Sequence, residues 1–309
     1  MAGRGGFFEE RSLGEVVHTK RKLVSAPSDM HVAEALRLMQ RKNVRVLPVT
    51  SSSSASPNEF LGMVDLLDVL VPLAFAGYFK TQSFEEAEFS AFKVLENVKL
   101  GDLIGVSEEG KQLWTVPSTT SLAEALFKFS HGVHRILVQL PSGEVRLCSQ
   151  TDVIRFLLKH QSHRDLAPLF QKTIKELGLG TPSPKSITTK DIALEAFRTI
   201  VQSNVSGLAV VNEDGSLAGS ISTKDVRGIT TDNLHNVTKP VLEFQEAIEG
   251  GAPAFPVVCN EDEALSLLLL KTIAHGTHRA YLVEKQSQAP VAAITFSDVL
   301  AKFETLLTN

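Results

Sequence analysis

One short pattern recurs four times along this chain: an apolar strand that runs into a helix whose first turn carries an aspartate. Its clearest copy is Val291-Ala292-Ala293-Ile294-Thr295-Phe296-Ser297-Asp298. The carboxylate returns at Asp68, Asp152, Asp225 and Asp298, with gaps of 84, 73 and 73 residues. Upstream of each copy runs a stretch with apolar residues at i, i+3, i+4 and i+7: His31–Met39, Ser121–Phe129, Ile192–Ile200 and Asp262–Leu270. That spacing is the stripe of a helix covering a core. A second apolar strand follows each helix, at Val44–Val49, Ile136–Leu140, Gly207–Val211 and Ala280–Val283. The expected fold is therefore α/β, built of four β-α-β-β-α repeats, because repetition settles architecture before any single residue does.

A hydroxyl and a carboxylate three residues apart at a helix start have two uses. They cap the unpaired N–H groups of the first turn, and they can face a ligand. Capping alone accounts for any single copy, whereas four copies in register point to a repeated site.

Composition narrows the field. The chain has 309 residues, 43% of them hydrophobic, and a net charge of −4. Well-filled cores are within reach, and no basic field points to nucleic acid. The aromatic residues are few and not interleaved with basic ones, so a stacking platform for single strands is not expected. Cys148 and Cys259 sit in apolar strands without metal-ligand spacing, which suits buried free thiols in a reducing compartment. The first ten residues lack the apolar core of a secretion signal, and no apolar run is long enough to span a bilayer. No membrane association, and a cytoplasmic location with the nucleus as an alternative, are the corresponding expectations.

Punctuation divides the chain as follows. Residues 1–12 read as a flexible N-terminus, 13–72 as repeat 1, 73–105 as a helical insertion and 106–160 as repeat 2. Residues 161–185 read as a linker, 186–232 as repeat 3, 233–254 as a connector and 255–309 as repeat 4. Ser51–Asn58, serine-rich with a proline, reads as a surface loop. Within the insertion, Glu85–Val98 has helical periodicity. In the linker, His163–Gly178 reads as one short helix ended by glycine, followed by a stiff turn at Thr181–Pro184.

A β-α-β-β-α unit closing on Thr/Ser-x-x-Asp resembles the CBS domain, and four copies resemble two Bateman modules. His134-Arg135 opens a strand in repeat 2, His278-Arg279 opens one in repeat 4, and repeat 1 has Asn43-Val44-Arg45 at a comparable place. With these, the chain from about Leu13 onward resembles the γ regulatory subunit of AMP-activated and SNF1-related protein kinases. The resemblance implies two modules around a pseudo-symmetric centre. It also implies AMP, ADP and ATP as regulatory ligands, and a Ser/Thr kinase catalytic subunit with a β-type scaffold as partners.

Carried over by position, the resemblance implies ribose contacts at Asp68, Asp152, Asp225 and Asp298. It implies phosphate contacts at Arg45, His134, Arg135, His278 and Arg279, supported by the hydroxyls of Ser149, Ser222 and Thr295. Arginine suits phosphate because its planar fork pairs with two oxygens at once. Three departures stand out. Repeat 1 has Asp65 in place of a hydroxyl, repeat 3 carries Ser203-Asn204 where the pattern has His-Arg, and Thr151 stands where a phosphate-binding lysine is expected. The Asp298 pocket is accordingly the first choice.

No P-loop, nucleophile elbow, zinc-protease motif or paired Cys-x-x-Cys occurs, so catalysis is not expected. Two other readings stay open. One is a free-standing CBS regulator of another enzyme or transporter that binds ATP or S-adenosylmethionine. The other is a ligand-free structural adaptor.

Overall fold

The computed structural model describes residues 6–52, 59–75, 84–107, 109–250 and 255–308. Four times the chain forms a short strand, a helix and two long strands that end at a helical turn. In repeat 1 these are Ala26–Pro27, Val32–Lys42, Val46–Thr50, Phe60–Asp65 and the helix Leu66–Phe75. Repeat 2 has Thr115–Pro117, Leu122–Ser130, Arg135–Gln139, Val145–Ser149 and Gln150–Lys159. Repeat 3 has Ser186–Thr188, Ala193–Gln202, Gly207–Val211, Leu217–Ser222 and the turn Thr223–Gly228; repeat 4 has Val258–Cys259, Leu265–Ala274, Arg279–Val283, Pro290–Thr295 and Phe296–Thr308. In every repeat the short strand runs parallel to the first long strand, and the two long strands pair antiparallel.

The repeats gather into two compact units that are interleaved in sequence. One unit holds Met1–Leu23, Trp114–Pro184 and Pro256–Asn309, and so contains repeats 2 and 4. The other holds Val24–Leu113 and Lys185–Phe255, and so contains repeats 1 and 3. Each unit has its own apolar core, into which the helices of both its repeats turn their stripes. Leu122, Leu126, Phe129, Leu157, Leu268 and Phe303 are central to the first core, and Leu36, Met39, Leu70, Phe197, Ile200 and Phe244 to the second. Burying a large apolar side chain stabilises by roughly 1.5–3 kcal/mol, so these stripes supply much of what holds each unit together.

The segments leading into the repeats are exchanged. Ser12, before repeat 1, bridges Ser121 of repeat 2, and Lys99, before repeat 2, bridges His31 of repeat 1. Thr173, before repeat 3, bridges Ala264 of repeat 4, and the segment before repeat 4 bridges Ile192 of repeat 3 through Pro240. Each seat is made by two reciprocal backbone hydrogen bonds at a helix start. Leu13 N–H donates to Thr120 O at 2.9 Å while Leu122 N–H donates to Arg11 O at 2.7 Å. The corresponding pairs are Leu100 to Met30 with Val32 to Val98, Ile174 to Glu263 with Leu265 to Lys172, and Val241 to Asp191 with Ala193 to Lys239. First-turn N–H groups have no partner inside their own helix, and the exchange supplies one.

Several sequence expectations change in the structure. From Gly6 onward the N-terminus is ordered: Phe7–Glu10 is a helical turn, and Phe7 and Phe8 are buried in the repeat 2/4 core. Burial of two adjacent phenylalanines offsets the backbone freedom lost on ordering this segment, a contribution not visible in its local sequence pattern. The linker forms two short helices, Ala167–Gln171 and Ile174–Leu177, because Thr173 starts a new one as a capping box with Glu176. Gly178 ends the second in a left-handed conformation, as expected. The repeat 4 helix begins at Leu265, two residues later than the aligned pattern.

Repeat 3 closes on a 3₁₀ turn rather than an α-helix. Gly228 and the β-branched Ile229, Thr230 and Thr231 are poor helix formers, and Asp232-Asn233 favours a turn. The helix Phe84–Asn97 is present in the insertion. The Ser51–Asn58 loop lies largely outside the described residues. At its start, the Ser52 hydroxyl accepts a hydrogen bond from Asp29 N–H at 3.2 Å.

Candidate functional site

Each repeat ends its second long strand on a capping residue, and the aspartate three positions later folds back onto it. In repeat 4, Asp298 Oδ2 accepts from Thr295 N–H and Thr295 Oγ1–H, both at 2.7 Å. In repeat 2, Asp152 Oδ2 takes Ser149 N–H at 2.8 Å and its hydroxyl at 2.5 Å. In repeat 3, Asp225 Oδ2 takes the same two groups of Ser222 at 2.7 and 3.0 Å. Repeat 1 substitutes a carboxylate for the hydroxyl: Asp65 Oδ1 caps Leu67 and Asp68 N–H, while Asp68 Oδ2 accepts from Asp65 N–H at 2.8 Å.

What reaches each aspartate next differs, and the exchanged segments decide it. Lys20, just past the first of them, places Nζ 2.6 Å from Asp152 Oδ2 and 2.8 Å from Leu147 O. Gln245, on the helix Val241–Glu249, donates Nε2–H to Asp225 Oδ1 and to Ser220 O, both at 3.0 Å. Past the segment seated on repeat 1, Ser107 N–H donates to Asp68 Oδ1 at 2.7 Å. Leu147 and Ser220 hold the same place in their strands, two residues before the capping hydroxyl.

In repeat 4 that place belongs to Ala293, and backbone takes it: Thr181 pairs with Ala293 and Pro182 with Ala292. Gly180, at φ +118°, permits the approach, since a Cβ there would sit 2.9 Å from Ala292 Cβ. The segment stops at the strand. Among the described residues, Asp298 Oδ1 takes no hydrogen bond.

The four carboxylates therefore differ in kind. Asp68 is 1% exposed with both oxygens on backbone N–H groups. Burial, with the charge of Asp65 beside it, pushes its pKa up to about 6. Asp225 is buried and engaged at both oxygens. Asp152 is neutralised by an ammonium in a part-buried pair. Asp298 is half-buried and keeps one oxygen for a further donor.

The cationic candidates lie at the start of the first long strand. Arg135 stands opposite Ser149 and Arg279 opposite Thr295, each half-buried, with His134 and His278 one residue earlier and exposed. The left-handed residue that ends each preceding helix gives a structural alignment of all four repeats: Asn43, Gly132, Asn204 and Gly276. Counted from it, Arg45 is the counterpart of His134 and His278, and Val46 that of the two arginines. In repeat 3 the counterparts are Ser206 and Gly207. Ser203-Asn204, read from sequence as that pair, instead ends the helix. Sequence spacing misplaced it because the apolar stripe fixes a helix face but not the residue at which the helix stops.

Within the repeat 2/4 unit the two helix starts meet. His278 Nε2 lies 2.8 Å from Thr151 Oγ1, and Gln150 Nε2–H donates to Ser297 Oγ at 3.0 Å. His278 thus reaches the start of the repeat 2 helix, and Gln150 N–H at that start donates to His134 O at 3.2 Å, so both His-Arg strands begin near helix N-termini, a setting that favours anions. In the repeat 1/3 unit, Arg227 Nη1–H donates to Asn43 Oδ1 at 2.8 Å. Sequence reasoning missed Lys20, Ser107 and Gln245. All three sit outside the repeat pattern and reach their aspartates only through the exchange. Both cysteines are buried and unpaired, and burial pushes both thiols up, Cys259 to about 12.

Comparison with known proteins agrees with this architecture. The CBS domain model matches residues 13–74 and 174–230, which include most of repeat 1 and the core elements of repeat 3. The chain carries CBS domains paired as two Bateman modules. It is homologous to the SNF1-related protein kinase regulatory subunit gamma-like PV42a of Arabidopsis thaliana, at 21% identity over 93% of both chains. It is 28% identical to the protein sds23/moc1 of Schizosaccharomyces pombe, over 83% of this chain and 65% of that one. With SDS23 of Candida albicans the match, at 29% identity, covers 55% of this chain and 29% of the relative. The chain thus spans about two-thirds or less of the length of these fungal relatives. Among solved structures, protein MJ1225 of Methanocaldococcus jannaschii, which its own description relates to g-AMPK, shares the fold. Its TM-score is 0.71 and its identity 19%, over 92% of this chain and 97% of that one. Among the described residues, no helix is long and apolar enough to cross a membrane.

Proposed function

We propose that the chain is a non-catalytic γ-type regulatory subunit of an SNF1-related or AMP-activated protein kinase, binding an adenine nucleotide in repeat 4. The observation that carries this reading is the Oδ1 of Asp298, unengaged and uncompensated by any lysine among the described residues, in the repeat whose strand opens on His278-Arg279; Asp68 and Asp225 are engaged at both oxygens, and Asp152 is paired at Oδ2 with the Lys20 ammonium. A vicinal diol donates two hydrogen bonds to such a carboxylate, and a guanidinium and an imidazole next to a helix N-terminus suit the phosphate. AMP, ADP and ATP compete for one pocket, and their different charge shifts the population of conformations. The 93% coverage of PV42a supports a kinase catalytic subunit and a β-type scaffold as partners.

Isothermal titration with AMP tests the ligand. The expected result is one site per chain, weakened at least tenfold by Asp298→Ala. No binding, or binding indifferent to that substitution, overturns it. A second reading, a CBS regulator outside any kinase complex, is favoured by the fungal SDS23 relatives, whose names carry no kinase. Affinity capture separates the two: a Ser/Thr kinase retained in stoichiometric amount supports the first, and nucleotide binding without it the second.

A further inference from the structure

Repeat 2 contains the same parts as repeat 4. His134-Arg135 matches His278-Arg279, Ser149 matches Thr295, and Asp152 folds onto its cap as Asp298 does. The two also meet at one junction through Thr151 and His278. The difference at the carboxylate is Lys20. Its ammonium lies 2.6 Å from Asp152 Oδ2 and is held in place by Leu147 O at 2.8 Å, with 29% of the lysine side chain and 12% of the aspartate side chain exposed. We propose that repeat 2 is a second, latent nucleotide site held silent by Lys20, which neutralises the carboxylate a ribose would use. The inference rests on the reading of repeat 4 as a nucleotide site.

Charge compensation explains the silence. An ammonium adds the attraction of a full opposite charge to its hydrogen bond with a carboxylate, which a neutral ribose hydroxyl cannot. Lys20 binds Oδ2, which also takes the Ser149 cap, and its charge offsets that of the whole carboxylate, so a ribose hydroxyl approaching Oδ1 meets a weaker acceptor at Asp152 than at Asp298. Lys20 is tethered by the neighbouring helix Leu13–Val17, whose Leu13, Val16 and Val17 are buried, so it is present at high effective concentration. Without it, Asp152 would keep its Ser149 cap and match Asp298 in its described hydrogen bonds.

AMP titration of Lys20→Met and Lys20→Gln tests this, with thermal melts to confirm folding. The expected stoichiometry rises from one to two per chain. In Lys20→Met combined with Asp298→Ala a single site should remain, and adding Asp152→Ala should remove it. A stoichiometry of one in both folded Lys20 variants overturns the inference and leaves the repeat 4 reading intact. Loss of a site on removing Lys20 also overturns it, because the lysine would then be a ligand. If AMP binds neither the wild-type chain nor the Lys20 variants, the repeat 4 reading itself has failed.

Discussion

Asp65 shows how one side chain changes the chemistry of a repeat. At the equivalent positions Ser149, Ser222 and Thr295 offer a hydroxyl, which caps the helix without adding charge. Asp65 caps as well but sets a second carboxylate beside buried Asp68, whose pKa rises from an ordinary 3.8 to about 6. Between those values the folded protein holds a proton that the unfolded chain has released. This group's contribution to stability is therefore intact below pH 3.8, falls as pH rises towards 6, and is level above that. Asp65→Ser keeps the cap and removes the charge. Chemical denaturation at pH 4 to 7 should show the decline flattened and stability at pH 7 increased by about 1 kcal/mol, since one pKa unit corresponds to about 1.4 kcal/mol. A profile that overlays the wild type would show that burial alone sets the shift.

At the scale of elements, glycine decides where segments approach. A Cβ on Gly228 would lie 1.9 Å from Ile248 Cγ2, so the turn that closes repeat 3 and the helix Val241–Glu249 touch through a missing side chain. That helix also carries Gln245 to Asp225. Gly228→Ala should destabilise by about 1–3 kcal/mol, the usual effect of overpacking. Ile248→Ala in the same chain should recover part of that, a coupling that a double-mutant cycle of urea midpoints measures. Additive losses would mean that backbone strain, and not the Ile248 contact, is responsible. The capping box at Thr173 is a second element-level device: Thr173→Ala should cost about 1 kcal/mol, read from the same midpoints.

For the whole molecule, the exchange of lead-in segments makes residues distant in sequence share one core. Leu13 is completely buried among residues of repeats 2 and 4. Leu13→Ala should destabilise by about 2–5 kcal/mol. Hydrogen exchange should quicken in residues 114–184 and 256–308, more than 100 positions away, before it does in adjacent residues 24–75. Faster exchange confined to residues 6–30 would contradict the interleaved units. The sequence by itself determined the four repeats, their helix faces, their strand pairs and the carboxylate at each strand end, because 3.6- and 2-residue periodicities and helix caps are local properties of the chain. It also made Asp298 the expected first choice, through departures at Asp65 and Thr151. Only the tertiary structure decided which repeats share a core, that Ser206-Gly207 and not Ser203-Asn204 align with His-Arg, and that Lys20, Ser107 and Gln245 answer three of the four aspartates. Those contacts join segments at separations of 20 to 132 residues, set by how backbone N–H groups at helix starts find partners in space, and no local pattern encodes that choice.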